Sequence, residues 1–339
     1  MDGTLFRREE RTVFALRELY DRFGYRQYRM RKFEEYSLYA RNRDFLVSDR
    51  VLTFTDTDGR LLALKPDVTL SIVRNTRDAP GKQKLFYDET VYRVTGSSGG
   101  YREIRQTGLE CIGDPDAYTQ AEVLMLAAQS MRCVAEGSLL VLSHLDILTA
   151  LTDRLEAGLR SRALALFGSR NLHELRSLCA QSPDGAKIAD RLEALADCCG
   201  TPAEVLPALE ALEADPKALA ELRTLTDCLA VFGLADMLRL DFCQVGDVSY
   251  YNGIVFKGYA PGLPAPVLSG GRYDRLMERM GRRTGALGFA VYLNELERLP
   301  EDPVSAPDRI LDWADAASPV ELCRLAAEAA DRGERILVT

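Results

Sequence analysis

Histidine and tryptophan are scarce in this 339-residue chain, which holds two histidines, His144 and His173, and one tryptophan. Its eight cysteines (Cys111, Cys133, Cys179, Cys198, Cys199, Cys228, Cys243 and Cys323) form no CxxC pair and no cluster with the histidines. A structural zinc site, built from Cys and His at set spacings, is therefore not expected. Both histidines read as surface or helix-packing positions. No stretch is apolar for long enough to cross a membrane. The N-terminus, MDGTLFRREERTV, is charged from residue 7 and lacks the apolar centre of a signal peptide, so the expected location is the cytoplasm. Internal repeats and low-complexity tracts are absent as well. Positive charge is in deficit, with a net charge of -8. That balance argues against an extended phosphate-binding surface. One stretch runs the other way, with Arg26, Arg29, Arg31, Lys32, Arg41 and Arg43 close in sequence. Interleaved with Glu34, Glu35 and Asp44, it reads either as a local basic patch or as a solvated amphipathic surface.

What is present is a chain with 47% hydrophobic residues, ample for a well-buried core. Residues 8–23 carry Phe14, Leu16, Leu19, Tyr20 and Phe23 on a broad apolar stripe, which predicts a helix that stops at Gly24 and covers a sheet. Between 50 and 112 the pattern shortens to alternation. RVLTFTDTDGRLLALKP places DG between two apolar runs, and KLFYDETVYRV, GSSGG and YREIRQTGLECIG read as a longer hairpin. A helix is expected from near Asp116 to Gly137, then a strand at SLLVLSH. From 145 to 236 nearly everything reads as helix, broken by Gly and Pro. Strand character returns at LRLDF and VSYYNGIVFKGY, followed by a glycine-rich turn at SGGRYD, a helix, and a strand near GALGFAVYL. PEDPVSAP reads as a linker, and the last thirty or so residues as strand, helix, strand. The expected organisation is α+β, with the sheet split into 1–144 and 237–300 by a helical insertion at 145–236, and a small unit at 301–339.

Four segments could carry chemistry. Alternation in YREIRQTGLECIG sends Arg102, Ile104, Gln106, Gly108, Glu110 and Ile112 to one face, with Gly108 leaving space over the sheet. That face could hold a small zwitterion, or could simply be an exposed polar face. In LKPDVTLSIVR, Asp67 and Thr69 stand two apart, and Pro-Asp-x-Thr also reads as a helix start. In DVSYYNGIVFKGY, Tyr250 and Tyr251 fall on opposite faces of one strand, so at least one ring could enter the same cavity, unless both are core. SGGRYDRLMERMG combines two glycines with Arg272 and Asp274. Together the acids, amide, hydroxyl and phenols make an amino-acid pocket in which Asp67 and Glu110 face an ammonium. No nucleophile paired with a general base is visible.

In this order, and separated by a helical insertion, the four segments resemble the histidyl-tRNA synthetase family of class II synthetase folds over residues 8–300. LKPDVT is similar to the family's histidine-binding Arg-Pro-Glu-x-Thr, with Asp67 for its glutamate. VYR with GGYREIRQTGLECIG is similar to the second class II motif, placing Arg93 at its phosphate-binding arginine and Gln106 and Glu110 at histidine-binding positions. VSYYNGIVF resembles the Arg-Gly-Leu-Asp-Tyr-Tyr signature, and GALGFAVYLNEL the third motif. The resemblance thus implies a class II antiparallel sheet flanked by helices. It also implies histidine-binding roles for Asp67, Thr69, Arg102, Gln106, Glu110, Tyr250 and Tyr251.

The departures lie where that family handles ATP. Its signature arginine falls on Gly246, and the third motif's Gly-Leu-Glu-Arg falls on Tyr292, Leu293, Asn294 and Glu295. Gly100 replaces a loop arginine, Val94 and Thr95 stand where Glu-Arg is usual, and Arg31 replaces the first motif's proline. Arginines that clamp phosphate oxygens are each worth about 3–4 kcal/mol in a transition state, so losing three disables adenylate formation and leaves Arg93 vestigial. The C-terminal unit resembles a truncated anticodon-binding domain, and tRNA binding is not expected. This combination resembles the regulatory subunits of ATP phosphoribosyltransferase. That family implies a non-catalytic chain without cofactor or metal, a short-form catalytic subunit as partner, histidine as ligand, and a homodimer within a hetero-octamer. The alternatives are a histidine-activating synthetase paralogue, in which Glu297 and Arg298 restore the third motif after an insertion, and a binding module for another partner.

Overall fold

The first helix forms where apolar residues recur at helical spacing. In α1 (Arg8–Arg22), Val13, Leu16 and Tyr20 are buried. Phe14 lies off this line and is 54% exposed, so the apolar stripe is narrower than the composition of the segment suggests. Gly24, at φ +77°, ends the turn that follows. The computed structural model describes residues 7–43, 46, 50–95, 100–244, 250–299, 307–313 and 318–339. Its contacts divide the chain into two units, Glu9–Leu299 and a smaller one of Met1–Arg8 with Pro300–Thr339. Gly246 and most of the segment 300–307 lie outside the described residues.

Chain order in the larger unit continues with β1 (Arg26–Gln27), β2 (Phe33–Glu35), α2 (Tyr36–Arg41), β3 (Thr53–Thr55), β4 (Leu61–Leu64) and α3 (Thr69–Asn75). The hairpin of β5 (Gln83–Thr95) and β6 (Gly100–Ile112) follows, then α4 (Ala117–Val134) and β7 (Leu139–His144). A helical block comprises α5 (Leu145–Thr152), α6 (Ala157–Gly168), α7 (Leu172–Cys179), α8 (Gly185–Ala196), α9 (Pro202–Ala211) and α10 (Pro216–Val231), with β8 (Cys199–Gly200) before α9. The unit closes with β9 (Leu238–Asp241), β10 (Asn252–Tyr259), β11 (Leu268–Arg272), α11 (Asp274–Arg279), β12 (Ala286–Tyr292) and a 3-10 turn at Leu293–Arg298.

Among the described residues, nine strands form one sheet in the order β1-β5-β6-β12-β11-β10-β7-β9-β8. Its centre is antiparallel, while β1 with β5 and β7 with β9 are parallel. The late strands β10 to β12 therefore sit between β6 and β7, which is how residues far apart in sequence come to share one face. Alternation along β5 sends Phe86 to one side, with Tyr20, Phe289 and α4, and Tyr87 to the other, with α3 and Tyr273. Helix α4 is buried on most of its circumference, with Gln120 and Glu122 among the covered side chains and Tyr118, Arg132 and Cys133 exposed at its ends. Asp116 caps it, accepting a 2.8 Å bond from Thr119 N. On the opposite face a three-stranded sheet, β2-β4-β3, stands beside α3.

The segment SGGRYD is not a turn: Gly270 and Gly271 lie inside β11, paired with β10 and β12. The glycines serve close packing, since a Cβ at Gly271 would come within 2.8 Å of the Tyr251 ring. The smaller unit contains β13 (Arg309–Leu311), α12 (Pro319–Asp331) and β14 (Ile336–Val338), the two strands pairing in parallel. Ser318 caps α12, and Leu311, Leu322 and Ala329 are its buried apolar residues.

Candidate functional site

Asp67 and Thr69 are delivered by the entry into α3. The segment before it is pinned to β5: fully buried Lys65 pairs with Glu89, Tyr92 N donates to Lys65 O at 3.0 Å, and Arg93 Nε donates to Pro66 O at 2.7 Å. Glu89 also accepts from Met30 N at 2.9 Å. Asp67 Oδ1 accepts from Leu70 N at 2.8 Å, so it does cap the helix start. Its other oxygen faces Arg93 Nη2 at 3.6 Å, beside a cavity that both residues line. The helix-start and pocket readings of this residue thus describe one arrangement.

The cavity, of about 120 Å³, lies over the centre of the sheet and is lined by Asp67, Thr69, Arg93, Gln106, Glu110, Tyr250 and Tyr251. Tyr87, Tyr273, Tyr292, Ser269, Leu46 and the β12 segment Gly288–Ala290 complete its wall. Glu110 is its polar centre. The Thr69 hydroxyl donates to one carboxyl oxygen at 2.7 Å and the Tyr273 hydroxyl to the other at 2.6 Å. Gly288 faces this carboxyl, and any side chain there would run into it. Burial drives the Glu110 titration up to about 8, opposed by the Tyr273 and Thr69 bonds and reinforced by the charge of Asp67. Asp67 is raised too, by burial, against the pull of Arg93 and the backbone N–H groups of Leu70 and Thr69. Burial also keeps Tyr87, Tyr250, Tyr251 and Tyr273 protonated. Gln106 is 2% exposed, and its Oε1 has no hydrogen-bond partner among the described residues.

Tyr250 and Tyr251 do not point to opposite faces. They precede β10, where strand alternation has not begun, and both rings line the cavity with centroids 4.5 Å apart. Gly253, at φ +62°, and a register shift between Asn252 and Val255 mark the irregular entry. Gly108 does not leave open space, because a Cβ there would run into the Phe289 carbonyl oxygen and meet the Tyr87 hydroxyl at 2.6 Å. Arg102 is not brought to the site. It is exposed, opposite Arg93 in register, and is not among the residues that line the cavity. Arg272 and Asp274 pair with each other at 2.6 Å, and Asp274 also binds Asn252.

At the positions tied by resemblance to ATP, Arg93 is buried and committed to Pro66 and Asp67. Gly100 is exposed at the start of β6. Glu295 Oε2 stands 3.1 Å from Arg298 Nη1, an ion pair off the line of a hydrogen bond. Tyr273, Tyr87, Lys65 and Glu89 were not singled out by the sequence. Tyr273 was reachable from the GGRYD segment, whereas the others carry no local signal. The basic run is also mixed in space: Arg29, Arg31 and Lys32 line an open groove of about 750 Å³ together with Glu34 and Glu35, which lie 3.7 and 3.6 Å from Arg74. His144 is fully buried at the start of α5, and His173 is exposed on α7.

Residues 4–296 match the sequence model of the histidyl-tRNA synthetase family. An ATP phosphoribosyltransferase regulatory subunit from Carboxydothermus hydrogenoformans is 32% identical over 272 residues, covering 76% of this chain and 82% of that one. One from Clostridium kluyveri is 29% identical over 289 residues, covering 81% and 74%. A solved ATP phosphoribosyltransferase regulatory subunit/histidyl-tRNA synthetase from Bacillus halodurans superposes with a TM-score of 0.78 at 24% identity, over 98% of this chain and 88% of that one. A chain of the ATP phosphoribosyl transferase (HisG:HisZ) complex from Thermotoga maritima superposes with a TM-score of 0.67 at 19% identity, over 84% and 97%. These two structures share the fold, and the sequence matches carry the kinship: the chain belongs to the histidyl-tRNA synthetase family and, within it, to the ATP phosphoribosyltransferase regulatory subunits.

Proposed function

We propose that this chain is a regulatory subunit that performs no chemistry itself, binds a short-form ATP phosphoribosyltransferase catalytic subunit in the cytoplasm, and makes that enzyme responsive to histidine. The catalysed step would be the first of histidine biosynthesis, in which ATP condenses with phosphoribosyl pyrophosphate. The observation that carries the reading is the convergence of Asp67, Thr69, Gln106, Glu110, Tyr250 and Tyr251 on one small cavity, in a chain whose relatives bear the regulatory-subunit name. A buried amide oxygen without a donor and a buried carboxyl without a cation among the described residues suit a ligand that brings N–H groups, and the phenol rings suit a planar heterocycle. Histidine has both.

The absence of chemistry is supported by the cations. Arg93 is taken up by Pro66 and Asp67, and Arg298, the residue that would restore the third motif, is half exposed and faces Glu295. A homodimer within a hetero-octamer, the assembly implied by the family resemblance, is the arrangement we expect with the catalytic subunit. Size-exclusion chromatography of the mixed subunits tests the partnership, with co-elution expected and independent elution contradicting it. Calorimetry tests the pocket: histidine should bind the isolated chain, and Glu110→Ala should lose that binding. Histidine binding that survives the substitution would place the ligand elsewhere.

A further inference from the structure

The charges that line the cavity are not balanced. Glu110 is 2% exposed, and its partners are two hydroxyls, those of Thr69 and Tyr273. Among the described lining residues the cation is Arg93 on β5, and it is held by Pro66 O and Asp67. The other titratable groups facing Glu110 are Asp67 at the start of α3, Tyr87 from β5, Tyr250 and Tyr251 before β10, Tyr273 after β11, and Tyr292 at the end of β12. Burial keeps the first four of those phenols in their neutral form. An ionised Glu110 would therefore sit in a low-dielectric space, next to a second acid, without a counter-charge. A carboxyl in that position keeps its proton until a cation arrives, in accord with its titration near 8.

We infer that an ammonium-bearing ligand entering this cavity expels a proton from Glu110, so that occupancy of the pocket is coupled to pH. This rests on the reading of the cavity as a histidine pocket. The balance is simple. Neutral Glu110 and the ligand's ammonium become a carboxylate–ammonium pair, and the carboxyl proton passes to buffer. The ligand's charge replaces the proton's, which makes the site's affinity increase as the competing proton becomes scarcer.

Calorimetric titration of the full chain with L-histidine at pH about 7.5, where the ligand's imidazole is largely neutral, reads this directly. Run in phosphate and in Tris, whose ionisation enthalpies differ, it should show roughly three quarters of a proton released per histidine bound, the fraction of Glu110 still protonated at that pH. Glu110→Gln, which mimics the neutral acid, should release none. Should that variant fail to fold, the wild-type chain alone still decides the matter, because its histidine affinity should rise roughly fivefold between pH 7 and 8. Binding with no proton released, or with proton uptake, overturns the coupling and leaves the histidine pocket standing. No binding at all overturns both.

Discussion

Tyr273 and Glu110 lie 163 residues apart in sequence and meet through a 2.6 Å hydrogen bond at the floor of the cavity. The phenol comes from the residue that joins β11 to α11 and the carboxyl from β6, and strands β11 and β6 do not pair directly but flank β12. Replacing Tyr273 by Phe removes the donor and leaves a buried carboxyl oxygen without it. The expected cost is about 1–3 kcal/mol in unfolding free energy, measured by urea denaturation at fixed pH. A variant as stable as the parent would show that the bond does not organise the floor.

Glu110 also sets the sign of a pH dependence in the unliganded chain. Its titration in the fold, near 8, lies above the ordinary value of about 4.3 in an unfolded chain, so the folded state binds the proton more tightly. The stabilisation is present below pH about 4.5 and is lost progressively as pH rises to about 8, a few kcal/mol in all. The stability difference between wild type and Glu110→Gln, followed by denaturation across that window, should shift in favour of the variant as pH rises. A difference independent of pH would contradict this account of Glu110.

Lys65 and Glu89 hold the segment that delivers Asp67 and Thr69. Lys65 is 1% exposed, and replacing it by Met leaves Glu89, partly buried on β5, without its cation. A loss of about 3–5 kcal/mol is expected from breaking a buried pair on one side. Lys65→Arg should retain most of the stability if charge, more than shape, is what the site requires. Equal losses in the two variants would assign the role to packing.

Gly271 marks where a tyrosine ring needs room. Ala at this position places its Cβ 2.8 Å from the Tyr251 ring and 2.9 Å from Val255, and the ring must move. Histidine affinity should fall about tenfold or more, while the unfolding midpoint changes by what an overpacked site costs, about 1–3 kcal/mol. Unchanged affinity would mean that Tyr251 does not shape the ligand's side of the cavity.

Much of the architecture was legible because it follows from local rules. The hairpin of β5 and β6, the capped α4 and the helical run from α5 to α10 each have a periodicity, a cap or a turn signal of their own. Gln106 and Glu110 were legible from alternation and resemblance together, and Asp67 from its helix-start pattern and the resemblance. What was not legible depends on strand order. Alternation assigned Tyr250 and Tyr251 to opposite faces, but it does not hold before the irregular start of β10. Gly270 and Gly271 resembled a turn because the close approach of β10 and β12 is set by neighbours distant in sequence. Arg102 has the right parity for the site but is exposed and outside the cavity lining, since parity fixes a face and not what a side chain there reaches. Lys65 and Glu89 announce themselves only once β5 is laid against the entry to α3.

The most direct test of the central claim is the turnover of the short-form catalytic subunit, assayed alone, with this chain, and with this chain plus histidine. The account predicts low turnover alone, a marked rise when the chain is added, and suppression of that rise by histidine. A catalytic subunit that is fully active and histidine-sensitive by itself, and indifferent to this chain, would contradict it.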